Sequence, residues 1–371
     1  MPLSVRRAST AETDPRRAVQ AIATGLAADD ADAVIFFCSP DYPLDVLGPE
    51  IESAFRGPVI GCTSSGQIDA RGYRSGGISA VALSGGAVRC EAFTIAPLSD
   101  YQREAGRIGE IVCARREAGR ASRRFGVLLV DGLSRIEEQL ATALYESLDD
   151  LPLVGGSASD DLRFERTHVF VNGRFLEDAA VLAVFETELP FVPFSVQHFT
   201  PTDVRFVITD ADTERRTIYE LNGEPAAGVY AEAVGVDVPS LGPEVFARHP
   251  LMLRMGDEYY ARALARAGTD GSLELFCAVE RGLVVTLGAP GDPRGALDTT
   301  LTSLRERLDG SPLILAFDCI LRRVEFEAER RIDEISELLL QHEVFGFSCY
   351  GEQFNGLHMN QSLTGVALGR R

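Results

Sequence analysis

Three stretches of the chain end in the same turn signature, Gly-x-(Ser/Thr)-x-x-(Gly/Asp). They are Gly61-Cys62-Thr63-Ser64-Ser65-Gly66, Gly155-Gly156-Ser157-Ala158-Ser159-Asp160 and Gly346-Phe347-Ser348-Cys349-Tyr350-Gly351. A strongly apolar run lies upstream of each, at Val34–Cys38, Gly126–Val130 and Leu313–Cys319, with an amphipathic stretch in between. A small-plus-aliphatic run follows each, at Gly77–Val81, Ala180–Val184 and Gly365–Leu368. Apolar runs of this length read as buried strands and the stretches between them as helices. Three matching flanks imply one strand-helix-strand element used three times. Turns of Gly, Ser and Thr leave room for a ligand and expose backbone N–H groups to it.

The fold class that follows is α/β, two modules of mixed sheets flanked by helices. An N-terminal segment and helix occupy 1–30, an N-terminal module 31–222 and a C-terminal module 223–371. At 371 residues the chain exceeds one compact core. Local signals place several elements. Asp14 caps a helix that starts at Pro15 and carries Val19, Ile22 and Leu26 on one face. Ser134 and Glu137 form a capping box, and Asn172-Gly173 turns a hairpin between His168 and Phe175. Pro225 opens a helix that ends near Gly235. Pro49–Phe55 reads as a short helix, and Ser84-Gly85-Gly86 as the turn of a hairpin joining Gly77–Leu83 to Val88–Ile95. The first ~10 residues are expected to fray.

The net charge of −19 repels a phosphate backbone and argues against nucleic acid as a partner. The basic run Arg115, Arg116, Arg120, Arg123 and Arg124 reads as a solvated connection. No apolar stretch reaches the ~18 residues of a membrane span, and no apolar segment follows Arg6 and Arg7 as in a signal peptide. Seven cysteines without regular spacing form no disulfide framework, which suits a reducing cytoplasm.

Walker, Gly-x-Gly-x-x-Gly, His-Glu-x-x-His and Cys-x-x-Cys motifs are absent, as is a nucleophile elbow. Cys62 and Cys349 sit in signature turns, where backbone dipoles favour a thiolate. That leaves a cysteine-dependent enzyme as one alternative, although no acid–base partner is recognisable. Among the histidines, His249 and His342 read as surface groups and His168 as structural. His198, between Phe191, Phe194, Phe199 and Phe206, is either a hydrogen-bonded core residue or a ligand; His358 follows the third signature.

Pro58–Ile68 resembles the N-terminal signature of the FIST family of cytoplasmic signal-transduction sensors. Phe317–Arg322, Gly346–Glu352 and Asn360 resemble its C-terminal half, and the likeness runs from about Ala33 to Leu368. The resemblance implies two modules acting together as a non-enzymatic small-ligand sensor. It implies ligand-binding roles for Cys62, Thr63, Ser64, Arg262, Cys319, Arg322, Tyr350, Glu352 and Asn360. It also implies a separate signalling partner, a histidine kinase or a cyclic-di-GMP enzyme linked to biofilm behaviour, and possible homo-oligomers. His198-Phe199 stands where many members have Gly-Trp. With the segment 350–361, it is similar to the stand-alone members that bind b-type haem and sense nitric oxide. In that reading His198 is the axial ligand, His358 the alternative, and Arg262 or Arg322 pairs with a propionate. The competing ligand is an amino acid or similar metabolite without haem.

Overall fold

A computed structural model describes residues 3–27, 30–117, 123–149, 151–310 and 312–370. The strand-helix-strand element is larger than the signature suggests. Each of three units runs edge strand, helix, strand, helical segment, strand, signature turn, short hairpin and closing strand.

Unit 1 consists of Ser4–Thr10, Pro15–Leu26, Ala33–Cys38, Leu44–Ala54, Val59–Thr63, the hairpin Gln67–Asp69/Gly72–Arg74, and Ile78–Ser84. Unit 2 repeats this with Val88–Ile95, Tyr101–Glu117, Arg123–Val130, Glu137–Ser147, Leu153–Ser157, Val169–Val171/Arg174–Leu176 and Ala180–Thr187. Unit 3 begins at Phe191–Val196 and resumes at Pro293–Arg307. It continues with Leu313–Cys319, the helices Ile320–Ala328 and Ile332–Gln341, Val344–Cys349, Glu352–Phe354/Leu357–Met359 and Leu363–Leu368. An insert of antiparallel strands and short helices, from Phe199–Asp212 to Val284–Pro290, fills the gap.

In each unit the two central strands pair in parallel, Val34 with Val59, Gly126 with Leu153 and Ile314 with Val344, and the closing strand runs antiparallel to the first. Parallel strands covered on both faces need apolar side chains throughout, and Ala33–Cys38 and Leu313–Cys319 are buried at every position. The first signature glycine has a steric cause. A Cβ on Gly155 or Gly346 would lie 1.9 Å from a carbonyl oxygen of the paired strand, and one on Gly61 2.5 Å.

The hairpins are exchanged in a closed cycle. The hairpin of unit 2 adds to the sheet of unit 1, that of unit 3 to unit 2, and that of unit 1 to unit 3. The three sheets enclose a shared core in which Phe37, Leu129 and Phe317 occupy equivalent positions, with Phe37 stacked on Phe347 at 4.3 Å. Each unit has a separate helix-side core, and the insert has its own around Phe206, Tyr230 and Phe246.

The mixed α/β class and the threefold use of strand-helix-strand are as the sequence implies. The helix at Pro15 has Asp14 accepting the Arg17 N–H, and the turns at Asn172-Gly173 and Gly235 stand where expected. Four local readings differ. Ser4–Thr10 does not fray, because its backbone pairs with Ile78–Ser84. Gly77–Leu83 and Val88–Ile95 form no hairpin; they belong to different sheets, and Gly85-Gly86 links two units. Ser134 does not cap the helix, which starts at Glu137 with a buried carboxylate committed to Arg216. The helix read from Pro49 begins earlier, at Leu44. Of the basic run, Arg120 lies outside the described residues. Arg124 is bonded to the Val112 carbonyl and faces Glu186. No described helix is long and apolar enough to cross a membrane.

Candidate functional site

The signature turns meet one another. Ser65 N–H donates to Ser348 O (3.2 Å), Ser159 N–H to Thr63 O (3.1 Å) and Tyr350 N–H to Ser157 O (3.3 Å). Thr63, Ser157 and Ser348 N–H donate in turn to His168, Gly351 and Gly66 carbonyls, in each case on the turn or hairpin of the next unit. Ser159 Oγ accepts from Ser65 N–H (2.8 Å) and donates to Ser348 O (2.7 Å), touching all three units. The backbone donors read as free for a ligand are therefore used to close the ring.

Most residues picked from sequence lie inside this junction. Cys62, Cys319 and Cys349 are buried, and burial pushes each thiol well above its usual range, away from the thiolate a cysteine enzyme needs. Thr63 Oγ1 accepts the His168 N–H (3.1 Å), and Ser64 Oγ donates to Cys38 O (3.2 Å). Tyr350 donates its hydroxyl to Asp160 and stacks on Phe164 at 5.2 Å. Glu352 is fully buried; Oε2 accepts the Ser362 N–H (3.0 Å) and Oγ–H (2.7 Å), and Oε1 faces Cys349 Sγ at 3.3 Å. Burial raises its carboxyl to about 8. Asn360 Oδ1 accepts from Ala263 N–H (3.4 Å) while its Nδ2 has no partner, and the half-buried Arg262 likewise leaves Nε unpaired.

His198 belongs to a buried polar chain. Arg322 Nη1 lies 3.0 Å from Nδ1, and both Glu325 carboxylate oxygens lie 2.9 Å from Nε2. A guanidinium can only donate, so Nδ1 accepts and Nε2–H donates, which makes the ring neutral. Burial lowers the His198 pKa, against the pull of Glu325. Arg322 Nε continues to Asp318 (2.7 Å), which also accepts the Tyr73 hydroxyl from the hairpin of unit 1. His358 is engaged likewise, with Nδ1 2.9 Å from Gln353 Nε2 and Nε2 3.3 Å from Phe276 O. Neither ring offers a free nitrogen, and the arrangement at these two histidines does not fit an axial haem ligand. His342 is buried, 3.7 Å from Asp298, rather than on the surface. Among the described residues no group of three or more His, Cys, Asp or Glu is placed to hold a metal ion.

In open α/β sheets, ligands enter beyond the carboxyl ends of the parallel strands. Three such ends are equivalent here, and the insert covers two. At unit 2, Arg216 of the insert grips Glu137 (2.5 Å) and Glu138 (2.6 Å), and Glu138 also accepts the Ala278 N–H (2.6 Å). At unit 3 the insert helix Pro243–Arg248 and Ala263, which follows the strand Glu258–Arg262, pack on Cys319, Ile320 and Leu321, and Gln361 donates to Ala247 O (2.7 Å). At unit 1 the end stays open, as a cavity of about 650 Å³ lined by Tyr42, Asp45, Arg163, Glu165, Arg166, His168 and Arg174. A second crevice, of about 560 Å³, separates unit 3 from the insert strand Glu258–Arg262. None of the ligand-binding residues inferred from sequence lines either space. No motif marks the charged residues of this cavity, because they come from two units: Asp45 from the first turn of a helix, Arg163, Glu165 and Arg166 from a loop, and Arg174 from a hairpin strand.

Two family models match the chain, the FIST N domain over 32–224 and the FIST C domain over 226–355. The chain belongs to the FIST family. FIST domains are sensory, small-ligand-binding domains of signal transduction. The two matches meet at 224–226, inside the insert, so the FIST N match carries unit 1 from its strand Ala33–Cys38 onward and all of unit 2, and the FIST C match most of unit 3. MJ1623, an uncharacterized protein of Methanocaldococcus jannaschii, is 23% identical over 315 residues, 80% of this chain and 55% of that protein. The chain spans about half the length of that relative.

Proposed function

We propose that this FIST protein is a cytoplasmic sensor, without catalysis of its own, for a small zwitterion such as an amino acid or related metabolite, bound in the cavity of unit 1. One observation carries the reading: of three equivalent strand ends, this one alone is left open by the insert, and both signs of charge line it. Arg174, exposed and without an ion pair among the described residues, suits a carboxylate, and Asp45 an ammonium group. Arg163 and Arg166 are already held by Asp41 (2.7 Å) and Glu177 (2.5 Å).

The cavity wall reaches the insert. Asp160 accepts N–H groups from Phe164, Glu165 and Arg166 and the Tyr350 hydroxyl. Phe164 packs on Tyr350 and on Phe276 of the insert, at 5.2 and 5.7 Å. Asp161, Leu162 and Phe164 sit at φ of 65°, 60° and 54°, a conformation that costs a non-glycine residue about 1–3 kcal/mol. A ligand that shifts Glu165 or Arg166 therefore acts on a strained segment that touches the insert. The signal then passes to a separate protein, for which a histidine kinase or a cyclic-di-GMP enzyme remains the proposed class. Haem with nitric oxide is not carried forward, because both candidate imidazoles are engaged.

Calorimetry and thermal denaturation with a panel of free amino acids test the reading. A ligand at 100 times its Kd adds about 2.7 kcal/mol of stability. Arg174→Ala and Asp45→Asn should each remove the effect; a panel with no binder, or binding unchanged in the double variant, refutes it.

A further inference from the structure

We propose that the crevice between unit 3 and the insert is a second binding site, for an organic ammonium ion carrying at least one N–H. Its lining is acceptor-rich. Glu258 supplies its single formal charge, and no Arg or His lines it. Tyr260 and Phe354 contribute aromatic rings, whose faces attract cations, Met359 a polarizable sulfur, and Thr299 a hydroxyl.

Gln197 gives the independent observation. Its Nε2 donates to Tyr259 O at 2.6 Å, which fixes the amide orientation and leaves Oε1 buried without a donor. A buried acceptor in a crevice wall is costly unless something donates to it. An ammonium N–H would satisfy it once the side chain turns toward the crevice; a carboxylate or phosphate would not. The helix Pro293–Arg307 opens on the same crevice, but its first amides are taken. Asp292 accepts the Arg294 N–H (3.2 Å) and the Gly295 N–H, and the Ala296 N–H donates to Asp292 O. The dipole end that would draw an anion is thus already capped. Arg294 points its charge to Glu334 (3.2 Å). A cation in the crevice would join the insert strand to unit 3, across the seam that His198 and Gln197 begin.

The probe is n-butylammonium, titrated into the full chain by calorimetry and ligand-observed NMR, with butanol and butyrate as neutral and anionic analogues. Binding of the amine alone is expected. Glu258→Gln, at an exposed position, should weaken it about tenfold, the scale of one partly screened charge contact, and Tyr260→Leu by a similar factor. Arg174→Ala, in the unit 1 cavity, should leave it unchanged, so this site stands or falls separately from the zwitterion site. Equal binding of butanol or butyrate, or an unchanged affinity in Glu258→Gln, overturns the proposal. So does loss of binding in Arg174→Ala.

Discussion

Glu352 makes the stability of this protein fall with rising pH. Its carboxyl is fully buried and raised by that burial to about 8 in the folded chain, against 4.5 for the ordinary group. Between those values the folded state holds a proton that the unfolded state has released, so unfolding becomes easier as pH increases. For one site with these two constants, the stabilisation falls by about 1 kcal/mol between pH 7 and pH 8. Four wholly or partly buried histidines act on the other side. Burial lowers His168, His198, His249 and His342, so their effect is a loss of stability as pH falls below about 6.5. Between pH 7 and 8 the residual titration of these histidines and of the buried thiols is common to both proteins, so the difference between wild type and a Glu352 variant isolates Glu352. Urea unfolding at both pH values is the assay, and Glu352→Gln the perturbation, since the amide keeps the acceptor for Ser362 and cannot ionise. Across the window wild type should lose about 1 kcal/mol more than the variant. An equal slope in both proteins refutes the assignment.

Two further substitutions test the ring and the buried chain. Arg322→Leu strands Asp318, a fully buried carboxyl that among the described residues is otherwise held by Tyr73, and leaves His198 Nδ1 without its donor. It should cost about 3–5 kcal/mol in urea unfolding, and Asp318→Asn on top should recover part of that loss. Ser159→Ala removes a hydroxyl that bonds units 1 and 3. A cost of about 0.5–1.5 kcal/mol is expected, that of a net hydrogen bond, since Ser65 N–H and Ser348 O stay bonded to each other; a neutral result would mean the turns hold without it.

Residues whose structure depends on their neighbours in sequence were legible. Asp14 with Pro15, Asn172 with Gly173 and the glycine after Val234 specify their turns within a few positions, and the structure keeps them. The failures share a cause. Ser84-Gly85-Gly86 has the composition of a hairpin turn, but its flanking strands find better partners about 45 residues before and about 90 residues after in their own sheets. Ser134 and Glu137 satisfy the capping pattern, but an arginine from the insert takes the carboxylate. From its aromatic sequence neighbours His198 reads as either a hydrogen-bonded core residue or a ligand; its spatial neighbours are Glu325 and Arg322, which no local pattern announces.

The sequence alone determined the repeat. Each first signature glycine is forced by a carbonyl of the paired strand, so the constraint recurs wherever the unit recurs. Apolar runs likewise had to become buried strands, whatever the tertiary arrangement. Tertiary structure decided the use of the repeat. The exchanged hairpins turn three units into a ring, the ring consumes the signature donors, and the insert closes two of three equivalent strand ends. Cavities arise where surfaces from distant segments fail to meet. Their linings obey no spacing rule, and only the folded chain brings Asp45 and Arg174, or Gln197 and Glu258, to one space.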